Sequence, residues 1–277
     1  MIEKKYKNVV LIPSWKEPDL LKVTVPRLLA SLSEDSTVVY ILNEGDAESV
    51  SVLVEHDVDF IRMNSNYGTS AIDFAIQLAH SKYGAEYITN SNTDMVYAKG
   101  WDTDLMNIIE ENYPCSASCF LVERSFSDWK NVIMWPFAEF NGETADRFIS
   151  EFEAGNFRLP NKMVAYSHPI MVKTKDFLTV GGYSHGLDMN WFPGNGLDDW
   201  FPYRLMQLHK GNFKFICSDK SGVLHGGSMT SCKLPDDVKK KSNWDYFIEK
   251  TGGHNITQFR QAIGVFDKVK ELNEDSK

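Results

Sequence analysis

Three short stretches hold residue types that can do chemistry. Asn92-Thr93-Asp94 follows a predicted strand and sets an amide and a carboxylate two residues apart. Oxygen donors on such a turn suit a hard divalent cation, Mg²⁺ or Mn²⁺, which completes its shell with the oxygens of a diphosphate. Taken alone, an Asn-x-Asp turn is more often a self-capping loop. His225 ends an apolar run and precedes Gly226-Gly227, where unencumbered backbone lets an imidazole reach a metal. A loop histidine is more often just hydrogen-bonded, and that reading suffices for His56, His80, His185, His209 and His254. Asp198 and Asp199 open a helix within Asn195-Gly196-Leu197-Asp198-Asp199-Trp200. Acids at a helix start commonly serve as caps and dipole partners. The functional alternative is that one takes a proton from an attacking hydroxyl, which needs reach more than an unusual pKa. Trp191, Phe192, Trp200 and Phe201 would then wall the face of a sugar.

A fourth group is scattered over polar turns near the amino end: Pro13-Ser14-Trp15-Lys16-Glu17, Asn43-Glu44-Gly45-Asp46 and Asn66-Tyr67-Gly68. Their acid and amide side chains suit a base and a ribose, with Trp15 or Tyr67 stacking. Ordinary turn chemistry explains each of them equally well.

The elements that must position these residues alternate. Asn8 to Ile12 reads as a strand, Leu20 to Leu32 as a helix entered through Pro18-Asp19, and Thr37 to Leu42 as a strand. Val58 to Arg62 is a third strand, Thr69 to Ser81 a helix with small and apolar residues at helical spacing, and Glu86 to Thr89 a fourth strand. Strand and helix in alternation predict an α/β fold whose central sheet is mostly parallel and flanked by helices. Ligands of such sheets gather at the carboxyl ends of the strands, where every polar turn named above lies. The second half is less regular. It carries an aromatic stretch from Phe120 to Phe157, a strand from Met163 to Val172, and a short helix from Lys175 to Val180 stopped by Gly181-Gly182. A helix from the acid pair through Lys210 follows, then strands at Phe213 to Cys217 and Gly222 to His225. The tail from Asp236 onward reads as amphipathic helices. Without a linker or repeat, residues 1–235 are expected to form one continuous domain. Residues 236–277 would be a helical extension packed on that domain.

Composition narrows the class. The 277 residues carry 29 basic and 38 acidic side chains, a formal charge of −9, and 43% are hydrophobic. That is a globular mixture, and its acidity disfavours general coating of nucleic acid. No apolar run approaches a membrane span or a signal-peptide core. Cys115, Cys119, Cys217 and Cys232 form no CxxC pair, which fits reduced thiols and a cytoplasmic location.

The order of the motifs is more specific than any one of them. From residue 8 to 255 the chain resembles the inverting glycosyltransferases of the GT-A fold, in particular the large family two group. Ile12-Pro13-Ser14-Trp15-Lys16-Glu17 resembles the family's Pro-x-x-Asn/Glu turn, and Asn43-Glu44-Gly45-Asp46 its acidic turn after the second strand. Asn66-Tyr67-Gly68 before the Thr69 helix, and Phe177 to Tyr183 with its Gly-Gly-Tyr, match as well. The Asp-x-Asp metal motif falls on Asn92-Thr93-Asp94, with Asn92 standing where the first Asp is usual. Asp198-Asp199 resembles the acid pair whose second member is usually the base, and His225 the late metal-binding histidine. Tyr246 to Gly253 is similar to the family's Tyr-rich tail.

The resemblance implies a nucleotide-diphosphate sugar as donor, a UDP-sugar first among them, bound by Pro13, Trp15, Glu17, Glu44, Asp46, Asn66, Gly68, Asn92 and Thr93. It implies Mn²⁺ or Mg²⁺ on Asp94 and His225, Asp199 as base with Asp198 beside it, and Trp191, Trp200 and Tyr183 along the acceptor with the aromatic stretch Trp129 to Phe157. The resemblance makes residues 1–235 the catalytic domain, a nucleotide-binding half to about 112 and an acceptor half after it, and the acceptor implied is a saccharide or glycoconjugate. A hydroxymethylated base in phage DNA is an alternative, served by Lys233 and Lys239-Lys240-Lys241. A non-catalytic sugar-binding relative and a nucleotidyltransferase are the other readings. The last would want a glycine-rich basic loop after the first strand, and Pro13 to Asp19 has no glycine.

Overall fold

The structure is a computed structural model and describes residues 5–124, 130–166, 168–183, 197–227, 259–260 and 263–264, with backbone only at 197 and 198. It begins β1 (Asn8–Ser14), α1 (Pro18–Ser31), β2 (Ser36–Leu42), α2 (Ala47–Glu55) and β3 (Asp59–Arg62). A 3₁₀ turn (Gly68–Ala71) runs into α3 (Ile72–Tyr83), followed by β4 (Tyr87–Asn90), β5 (Met95–Tyr97), α4 (Trp101–Asn112) and β6 (Cys115–Glu123). Next come β7 (Val132–Met134), α5 (Gly142–Glu153), β8 (Ile170–Lys173), α6 (Thr174–Val180), α7 (Leu197–Leu208) and β9 (Lys214–His225).

The strands form one sheet in the order β3-β2-β1-β4-β8-β6-β9-β5, with β7 paired to β6. β1 to β4 are mutually parallel, and β8 runs antiparallel to both β4 and β6. β9 is parallel to β6, and β5 antiparallel to β9. Two antiparallel steps restore the original direction, so β1, β2, β3, β4, β6 and β9 all end at the same edge.

A sheet covered on both faces needs strands that are apolar on both faces. Val9 and Leu11 pack into one core with Ala75, Ile76 and Phe177, whereas Val10 and Ile12 enter a second core with Leu21, Val25 and Trp101. α4 buries Trp101, Leu105, Ile108 and Ile109 at helical spacing, and Trp101 stacks on Tyr97 at 4.2 Å between ring centroids. Burial of the thiols raises the pKa of Cys115 and Cys217 to about 12, and neither is paired.

Several expectations need correction. The strand expected from Met163 to Val172 is present only as Ile170–Lys173, with Met163 making an isolated bridge to Cys217. The two strands expected near the end are one, β9, irregular between Cys217 and Gly222, where the hydroxyls of Ser218 and Ser221 donate to Asp104. α2, α4, α5 and β6 appear where no element was expected. The aromatic stretch does not line a surface: Trp135, Phe137, Phe148 and Phe157 are buried together beneath α5 in a third core. Trp129 and the tail from 236, apart from 259–260 and 263–264, lie outside the described residues. Among the described residues no helix is long and apolar enough to cross a membrane.

The Gly181-Gly182-Tyr183 turn is fixed by a close approach. The Asp73 carboxylate accepts the Tyr183 backbone N–H at 2.7 Å. A Cβ on Gly182 would sit 2.1 Å from Asp73 Oδ1, at a residue with φ of +77°. Both the clash and the left-handed backbone oppose a side chain. Gly182→Ala is expected to lower the unfolding free energy by about 2 kcal/mol or more, read by urea denaturation.

Candidate active site

All the polar turns named from sequence leave the shared edge of the sheet. Pro13 and Ser14 end β1 and Trp15 to Glu17 follow it, Asn43 to Asp46 follow β2, Asn66 to Gly68 follow β3, and Asn92 to Asp94 follow β4. Glu123 ends β6 and His225 ends β9.

β5 pairs with β9 so that Met95 lies opposite His225, and the Gly226 N–H donates to the Asp94 carbonyl at 2.8 Å. This brings His225 Nε2 to 3.6 Å from Asp94 Oδ2. On the other side of the ring, His225 Nδ1 is 2.6 Å from Glu123 Oε1. An ionised carboxylate only accepts, so Nδ1 carries the proton of that bond. Burial alone would lower the pKa of His225; the charge of Asp94 and the bond to Glu123 outweigh it and raise the pKa above the ordinary histidine value. The pocket therefore favours positive charge.

Two donors held about 2.1 Å from one ion and adjacent in its shell stand roughly 3 to 4 Å apart. The spacing of Asp94 and His225, their donor chemistry and the surrounding negative charge all fit a divalent cation. Among the described residues no three His, Cys, Asp or Glu groups are arranged to hold an ion by themselves. The protein would thus furnish a pair of donors, and phosphate oxygens and water the rest.

The turns around this pair are braced against one another. Buried Glu17 accepts the Thr93 hydroxyl at 2.8 Å and ties the β1 exit to the elbow bearing Asp94. The Trp15 indole N–H donates to Glu44 at 3.0 Å, and Lys16 pairs with the same carboxylate at 2.8 Å. These two contacts lower the pKa of Glu44. Lys16 and Glu44 both adopt the left-handed region, with φ of 55° and 46°. Asp46 is taken up as the cap of α2, accepting both the backbone N–H and the hydroxyl of Ser49 at 2.8 Å. Asn43 accepts the Tyr67 N–H, and Asn66 accepts that of Gly68, each at 3.0 Å. Glu17, Asp46, Asn66 and Thr93, expected to touch a donor, are thereby engaged in holding the loops. Trp15, Glu44, Pro13 and Asn92 remain half-buried at the edge.

The acid pair divides. Asp199 is 1% exposed and held by Arg260, Nε to Oδ1 and Nη2 to Oδ2, both at 2.7 Å. The Tyr166 hydroxyl donates to it as well. Burial, with the charge of Asp199 beside it, holds that hydroxyl protonated far above the usual range. Asp199, expected as the base, is thus clamped rather than presented to solvent. Asp198 occupies the preceding helical position, about 100° round the helix axis. Tyr183 is also corrected: it is 1% exposed, stacks on Phe201 at 4.5 Å, and accepts the Asn90 amide at 2.7 Å. It links the start of α7 to the end of β4 and offers no face to an acceptor. Trp200 is half-buried and stacks on Tyr203 at 5.9 Å. Trp191, Lys233 and Lys239 to Lys241 lie outside the described residues.

Sequence reasoning missed Glu123 and Arg260. Neither sits in a motif, and only the pairing of β6 with β9 and the return of the chain to α7 bring them in.

The model of glycosyl transferase family 2 matches residues 9–178 of this chain. The chain belongs to that family. No curated protein sequence matches it. Among solved structures, GalNAc-T7 with UDP, GalNAc and Mn²⁺ superimposes with a TM-score of 0.56 at 12% identity, over 94% of this chain and 57% of that one. TarS 1-349 of S. aureus gives a TM-score of 0.52 at 10% identity, over 76% of this chain and 60% of that one. At such identities the likeness is one of fold, and the family 2 chain described here spans less than two thirds of either neighbour. Its mixed sheet flanked by helices is the GT-A-like arrangement that the motifs predict.

For this family 2 chain, the clamp on Asp199 carries a stability consequence. Arg260→Met strands a buried carboxylate without its counter-charge and is expected to cost about 3 kcal/mol. Asp199→Asn added to Arg260→Met is expected to recover part of that loss, as read by urea unfolding of both variants.

Proposed function

We propose that this protein is a glycosyltransferase moving a sugar from a nucleotide-diphosphate donor, a UDP-sugar first among them, to an acceptor hydroxyl with inversion. The observation carrying this reading is the Asp94–His225 pair, 3.6 Å apart at the carboxyl edge of a family 2 sheet. The UDP, GalNAc and Mn²⁺ named with the GalNAc-T7 neighbour support the same ligand chemistry.

In this reading the base and ribose lie over the β1 and β2 turns, against Trp15, whose indole is oriented by Glu44. Asp94 and His225 would hold Mn²⁺ or Mg²⁺, which when bound offsets charge on the diphosphate leaving group. Asp94 and the braced elbow fix where the diphosphate rests, and Thr93 keeps that elbow docked on Glu17. Asp198 is the base: its carboxylate takes the acceptor hydroxyl proton as the oxygen attacks the anomeric carbon. The bond from that carbon to the diphosphate breaks, and the nucleoside diphosphate departs. Asp199, clamped by Arg260 and Tyr166, anchors the helix start from which Asp198 acts. Trp200 offers an aromatic face to a saccharide or glycoconjugate acceptor.

The test is a thermal-shift and turnover panel of nucleotide-sugars with Mn²⁺. A true donor at a hundred times its Kd adds about 2.7 kcal/mol of stability. Asp198→Asn is expected to keep UDP binding and lose about 10²- to 10⁴-fold in transfer or donor hydrolysis. Absence of any nucleotide-sugar turnover by the intact chain, with binding retained, would favour a non-catalytic relative instead. Turnover undiminished in Asp198→Asn would remove Asp198 from the base role. Asp94→Ala is expected to abolish the stabilisation by Mn²⁺ with UDP, measured in the same panel.

A further inference from the structure

Glu123 lies across the ring of His225 from Asp94, at the end of a different strand. β6 and β9 run parallel with Val122 opposite Leu224, so the next residues, Glu123 and Gly226–His225, leave the sheet side by side. Glu123 is itself pinned by its pairing with Met134 of β7 and by its carbonyl, which accepts the Trp135 N–H at 2.8 Å.

We propose that Glu123 is a positioning residue for the cation site, holding the His225 imidazole so that Nε2 faces Asp94. This rests on the metal-assisted reading given above. The 2.6 Å contact to Nδ1 leaves Nε2 as the ring's donor atom, and that atom is the one 3.6 Å from Asp94 Oδ2. Glu123 acts through the imidazole rather than as a third ligand. A carboxylate accepting from the far nitrogen of a ligating histidine fixes its tautomer and orientation and raises its basicity.

The experiment is a titration with Mn²⁺ alone, followed by the electron paramagnetic resonance signal of the free ion, on the intact chain and its variants. Glu123→Ala is expected to weaken Mn²⁺ binding about 10- to 100-fold. Glu123→Gln, whose amide oxygen still accepts from Nδ1–H, is expected to lose less. In a His225→Ala background, Glu123→Ala is expected to add no further loss, which a merely local packing role would not reproduce. Melting temperatures without metal report whether each variant folds. If Glu123→Ala fails to fold, Glu123→Asp, which keeps the charge and shortens the reach, is expected to weaken binding in its place. Unchanged Mn²⁺ affinity in the folded variant overturns the proposal, as does an equal loss when His225 is absent. If the wild-type chain takes up no Mn²⁺, the metal-assisted reading falls and this proposal with it. Wild-type uptake with no effect of Glu123 sinks this proposal alone.

Discussion

The site depends on one strand register. β9 lies between β5 and β6, and its last residue must fall opposite Met95 and beside Glu123 for the imidazole to sit between two carboxylates. Because side chains alternate along a strand, a slip of one residue would turn His225 to the other face of the sheet. The register is held by burial: Val223 and Leu224 are fully buried and enter different cores on opposite faces. Hydrophobic packing along β9 thereby decides the geometry of a polar pair at its tip. The irregularity between Cys217 and Gly222 is compatible with that register because Asp104 accepts the hydroxyls exposed there.

A second constraint concerns how a helix start carries a buried acid. A carboxylate as buried as Asp199 is tolerable only when paired and fully hydrogen-bonded, and Arg260 with Tyr166 satisfies that need. Phe201, stacked between Phe177 and Tyr183, ties the same helix start to the end of β4 through Asn90.

The amino-terminal turns show a related economy. Most of their polar groups bond to one another, Glu17 to Thr93, Asp46 to Ser49, Asn43 to Tyr67, leaving few to meet a ligand. Such loops are stiff before anything binds, which lowers the ordering cost of recognition. The left-handed backbone at Lys16 and Glu44 belongs to this edge, where strain of that kind tends to collect.

Much of this architecture was legible in the chain. The alternation of apolar runs and turns through residue 90 gave the parallel strands nearly to the residue, because a doubly covered strand must be continuously apolar and a turn must be polar. Asp94 and His225 could be named because each lies where a strand gives way to a turn. The elements that escaped notice have weak local signals: α2 is rich in Val and Ser, β6 in small residues, and α5 alternates aromatics with charges. The aromatic stretch looked like a binding wall and is a core, since exposure is a property of neighbours rather than of residue type. Tertiary structure alone decided that Tyr183 is buried, that Asp199 is clamped, and that Glu123 and Arg260 belong to the site. Local sequence determines which backbone a segment favours and which chemistry it carries. That Asp199 is sealed away depends on contacts between residues far apart in the chain, such as the 61 positions from Asp199 to Arg260, and no local pattern encodes those.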